Sequence, residues 1–181
     1  MTSFDEGELQ FEFGDDWHAE QFDRTGARFP RGVLPVDFIV EGDDELVLVE
    51  IKDPSASQAP ERNREQFVRK MKSKELTHQE LVPKARTSYG ILHLMARDTK
   101  RMRYVVVIGT EHLSMQPVLL ANLTDMLRAR LARETETAWQ RPYVSDCIVV
   151  SIADFSKAIS GCSACRIAPG AVGASAKGPR P

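Results

Sequence analysis

Cysteine is scarce in this chain of 181 residues: there are three, all after position 146. That number builds no disulfide framework, and a reducing cytoplasm is the expected compartment. Cys162-Ser-Ala-Cys165 is a lone C-x-x-C. With Cys147 and a histidine it has the residue types for zinc, but nothing fixes four ligands. His18, His78, His93 and His112 share no metal-ligand spacing. Long hydrophobic runs are missing too. None reaches the ~18 apolar residues needed to span a bilayer, and the acidic N-terminus lacks the charged-then-apolar pattern of a secretory signal. No membrane partner is expected. A glycine-rich phosphate loop and a nucleophile elbow are both absent, which argues against nucleotide-cradling and serine-hydrolase chemistry.

What is present is an ordinary globular composition, 42% apolar and 28% charged, in a chain long enough for one domain with a real core. The net charge of −2 hides an asymmetry. Residues 1–53 carry 15 acidic and 4 basic side chains, whereas residues 61–103 carry 5 acidic and 12 basic. Such a division suggests a polyanion partner for the basic part; attraction between the two segments within the fold is the alternative.

The stretch from Leu34 to Asp53 reads as a β-hairpin. Two apolar runs, Val36 to Val40 and Leu46 to Ile51, flank a polar turn at Gly42-Asp43-Asp44. A four-residue loop, Gly42 to Glu45, pairs Glu41 with Leu46. Counting back sets Val40 against Val47, Ile39 against Leu48, Phe38 against Val49 and Asp37 against Glu50. Directly opposed residues share a face, so this register brings two like charges together, and a divalent cation between them removes the repulsion. Glu50 and Lys52, two apart on one strand, also share a face.

An acid at 37 followed across the hairpin by Glu50-Ile51-Lys52 resembles the PD-(D/E)xK nuclease superfamily, the restriction-endonuclease-like fold. Asp37 matches the first acid, Glu50 the second and Lys52 the lysine; Pro35 stands two residues before Asp37 rather than next to it. The resemblance covers about a third of the chain. It implies an α/β fold with a mixed central β-sheet flanked by helices on both sides. It also implies metal-dependent hydrolysis of nucleic acid, DNA in the first instance, in repair, restriction or phage defence. Mg²⁺ or Mn²⁺ would be held by Asp37, Glu50 and the Ile51 backbone carbonyl, with Glu20 on a preceding helix as a further ligand, while Lys52 serves the attacking water. A lysine beside a dication would have a lowered pKa. Arg69, Lys72, Lys84 and Arg86 are the expected phosphate contacts. A homodimer or a subunit of a larger complex fits the short chain. The competing expectation is a non-catalytic nucleic-acid- or protein-binding scaffold of the same fold.

Along the chain, residues 1–13 are expected as an N-terminal arm or edge strand, residues 14–160 as the nuclease-like domain and residues 161–181 as a disordered tail. Asp15 and Asp16 start a short helix through Arg24. The Ser/Pro/Ala loop from Pro54 to Pro60 borders the suspected site. Helices are expected from Glu61 to about Leu81, from Lys84 to Ala96 and from Pro117 to Ala132. Buried strands are expected at 103–110 and 146–152, with a last helical turn at 154–159.

Overall fold

Apolar alternation and apolar runs between Leu9 and Ile152 decide how this chain folds. The structure is a computed structural model that describes residues 1–24, 29–116, 118–135 and 142–167. Its strands are β1 (Thr2–Glu6), β2 (Leu9–Phe13), β3 (His18–Gln21), β4 (Phe38–Glu41), β5 (Glu45–Lys52), β6 (Arg101–Ile108), β7 (Asp146–Ser151) and β8 (Ser163–Arg166). Its α-helices are α1 (Glu61–Lys72), α2 (Val82–Leu94), α3 (Val118–Thr135) and α4 (Phe155–Ala158). The fold is mixed α/β, with two sheets. The larger has the order β3-β4-β5-β6-β7, with β3, β4 and β5 antiparallel and β5, β6 and β7 parallel. The smaller is antiparallel, in the order β1-β2-β8.

β6 shows why two cores form. Its run Tyr-Val-Val-Val-Ile is buried on both faces, as expected for a central strand in a parallel array. Tyr104, Val106 and Ile108 join one core with Leu48, Met71, Leu81 and the α3 leucines Leu123 and Leu127. Val105 and Val107 join the other with Val47, Val49, Phe11 and Phe155. Helices α1 to α3 cover the first face. The second face is covered by the smaller sheet and the four-residue α4, so helices do not flank both sides in the expected way.

Four local expectations change. Residues 1–13 are not a loose arm: they hold the edge strand β1, as the other expectation had it, in a hairpin with β2 that turns at Gly7, whose φ of +60° suits glycine. Leu9, Phe11 and Phe13 alternate inward and are fully buried. Residues 15–24 hold no helix. Trp17 N–H closes a turn onto the Gly14 carbonyl and β3 follows, paired with β4. The acids there precede a strand, and a segment with Ala19 as its one inward residue carries little alternation to reveal it. The tail begins with β8, paired with β2; residues 168–181 lie outside the described residues. The helix expected over 61–81 breaks at its middle. α1 ends at Lys72, Lys74 adopts a left-handed φ of 69°, and a π-helical turn at Leu76–Leu81 leads into α2.

Candidate active site

The hairpin has the register expected of it: Phe38 opposes Val49, Ile39 Leu48, Val40 Val47 and Glu41 Leu46. One step further, Asp37 meets the Glu50 end of β5. The Asp37 carbonyl accepts the Phe22 N–H at 2.8 Å, and its carboxylate accepts the Ile51 N–H. Upstream, Val36 N–H donates to Ser88 Oγ at 2.9 Å and Thr87 Oγ1 donates to the Leu34 carbonyl, so the first turns of α2 lie against residues 34–37. That docking brings Lys84, one turn before Ser88, onto the acids.

Asp37, Glu50, Lys52 and Lys84 therefore converge. Lys84 Nζ lies 2.7 Å from Glu50 Oε1 and 3.5 Å from Asp37 Oδ1. Lys52 Nζ lies 3.2 Å from Glu50 Oε1 and 3.0 Å from Glu80 Oε2. Glu80, on the π-helical turn, also takes Lys70 at 2.9 Å. The pair is deep: Glu50 is 0% exposed and Asp37 7%. Glu50 Oε1 touches two ammonium groups, whereas Oε2 has no hydrogen-bond partner among the described residues. Burial first, and then the Asp37 charge, push the Glu50 carboxyl up to about 7, against the pull of Lys84 and Lys52. For Lys52, burial works against the charge, but Glu50 and Glu80 outweigh it and hold its pKa above the ordinary lysine value. The lowered lysine pKa expected beside a dication is thus the reverse of what the chain's own charges produce.

Two acids not expected at the site stand near it. Burial, then Asp37, raise the pKa of both Glu6 at the end of β1 and Asp23 just after β3. Neither was legible in sequence, because each arrives through tertiary packing that no local pattern specifies. Glu20 is turned elsewhere. It accepts from Arg97, which also holds Glu41 at 3.2 Å, so it stands with that surface cluster and not as a ligand on a helix. Of the expected phosphate contacts, Arg69 and Lys72 are exposed, and Lys72 lines a cleft of about 640 Å³ with Met115, Leu119 and Asn122. Arg86 is tied to Glu134 of α3 at 3.3 Å, and Lys84 faces the acids. Cys147 and Cys162 are buried and Cys165 is exposed.

The rim beside Lys52 is built closely. Arg166 of β8 grips Asp53 with both guanidinium nitrogens, at 2.8 and 2.9 Å, and reaches Glu111 at 3.0 Å. Ser55 Oγ donates to the Gly109 carbonyl at 2.9 Å. A Cβ on Gly109 would lie 2.2 Å from Asp53 Oδ1, so any other residue there would displace the Asp53 carboxylate that Arg166 grips.

Among the described residues, no three His, Cys, Asp or Glu side chains are grouped as a metal cage. The donors still suit a hard dication that keeps several waters. Two carboxylates share one ammonium, and among the described residues the buried Glu50 Oε2 lacks a hydrogen-bond partner. The Ile51 carbonyl shares an edge with its own N–H, which faces Asp37, while the Lys52 carbonyl turns the other way to accept Gly109 N–H at 2.9 Å. No family model, curated protein or solved structure matches the chain. No helix among the described residues is long and apolar enough to cross a membrane.

Proposed function

We propose that this protein is a metal-dependent nuclease with a restriction-endonuclease-like core, hydrolysing phosphodiester bonds of nucleic acid, DNA in the first instance. The observation that carries the proposal is that Asp37 and Glu50 meet at one ammonium, Lys84, with Lys52 also on Glu50, around the buried Glu50 Oε2, which has no hydrogen-bond partner among the described residues. Three antiparallel strands followed by parallel ones, with the acids where the two arrangements meet, support the same core. Asp37, Glu50 and the Ile51 carbonyl are the groups that would hold Mg²⁺ or Mn²⁺. When bound, such an ion neutralises phosphoryl charge and lowers the pKa of a water. Lys52 would orient or help deprotonate the attacking water and balance charge developing on the phosphoryl oxygens. Glu80 fixes where the Lys52 side chain stands. Exposed Arg62, Arg69, Lys72 and Lys74 supply a basic surface for the backbone of the polymer.

The test is cleavage of single- and double-stranded DNA and RNA in Mg²⁺ or Mn²⁺. The wild-type chain is expected to cut at least one form, Lys52→Ala to lose about 100-fold or more in rate, and Asp37→Ala to be inactive. Metal-independent cutting, or equal rates in the variants, would contradict the proposal. One observation favours a second possibility, a non-catalytic scaffold that binds nucleic acid or protein: Lys84 already supplies a positive charge between the two acids. A scaffold would bind no Mn²⁺ at Asp37.

A further inference from the structure

The expected phosphate contact at position 84 does something else in this fold. Its ammonium lies against both carboxylates, 2.7 Å from one and 3.5 Å from the other. That is the place where a divalent ion would have to stand to serve the same pair. We propose that Lys84 is a resident counter-cation that competes with the divalent ion for Asp37 and Glu50, so that metal loading ejects its side chain from the acid pair. The inference rests on the metal site argued above and goes beyond it, because it assigns an order: the ion enters, Lys84 leaves, and the freed ammonium becomes available to a phosphate.

Three features support exchange over a permanent ion pair. Two carboxylates this deep need a nearby positive charge, since an uncompensated buried charge is costly, and in the chain alone lysines supply it. Lys84 also leaves part of the acid uncompensated: it touches Oε1 of Glu50, while the buried Oε2 has no hydrogen-bond partner among the described residues. Finally, Lys84 has a way out. Its side chain is 18% exposed and sits in the first turn of α2, directly after the π-helical turn, a type of irregularity that often marks functional sites. Lys52 is not the competitor, because Glu80 anchors it from the far side at 3.0 Å.

The experiment is calorimetric titration of Mn²⁺ into the full chain, comparing wild type, Lys84→Met and Lys84→Met combined with Asp37→Ala. Competition predicts that Lys84→Met binds Mn²⁺ about tenfold or more tightly than wild type, and that the double variant loses binding. Equal affinity in wild type and Lys84→Met would overturn the competition while leaving the metal site standing. Absence of Mn²⁺ binding in both folded proteins would overturn the two together. A second measurement needs no variant: amine-reactive labelling of wild type, read at Lys84 by peptide mass. Labelling is expected to rise several-fold on saturation with Mn²⁺, and an unchanged yield at saturation would overturn the proposal even if Lys84→Met did not fold.

Discussion

Glu50 is the residue on which the site turns. It is fully buried, and its carboxyl is pushed up to about 7 first by burial and then by Asp37. In the unfolded chain it titrates near an ordinary glutamate, so between about pH 4.5 and 7 the native state binds more protons than the unfolded one. Stability from this group is therefore complete below about 4.5 and is lost as the pH rises through 7, by up to about 3 kcal/mol. In chelator, urea unfolding of wild type at pH 5 and pH 8 should show that loss, and Glu50→Gln should lack it. Parallel behaviour of the two proteins would mean that Glu50 is not held as described. Asp37, Glu50 and Lys52 were legible in sequence because strand register is arithmetic: once the four-residue loop is placed, opposite partners follow. Lys84 was legible only as a basic residue. Its inward aim depends on α2 docking through Thr87 and Ser88 onto residues 34–36, a long-range contact that no local pattern encodes.

At the scale of elements, amphipathic patterns were readable wherever the chain was strongly apolar, and short polar elements were not. The β4–β5 hairpin, β6, α3 and β7 follow from apolar runs or helical spacing. β3 and β8, four residues each, owe their strand form to a partner edge. The β1–β2 hairpin lay between these cases, since its inward phenylalanines alternate but nothing in sequence says which surface they cover. They cover the sheet face away from α1 to α3, together with α4: the Phe11 ring lies 5.5 Å from that of Phe38 and 5.3 Å from that of Phe155. Phe11→Ala should accordingly destabilise the protein by about 3–5 kcal/mol in denaturant unfolding. A loosely docked arm would give a change within about 0.5 kcal/mol.

Over the whole molecule, much of the charge asymmetry is spent internally. Arg97 and Lys100 pair with Glu41, Arg103 with Glu45 and Lys84 with Asp37 and Glu50, all joining the basic segment to the acidic one. On α1 and just beyond it, Arg62, Arg69, Lys72 and Lys74 stay exposed. Both cores pack on one five-stranded sheet, and the candidate site opens at the end of that sheet where Lys52 leaves β5. The most direct measurement is anomalous diffraction from crystals of the protein soaked in Mn²⁺. The account predicts a peak bonded to the Asp37 and Glu50 carboxylates with Lys84 withdrawn from between them. Crystals with no such peak, and Lys84 still joining the two acids, would contradict it.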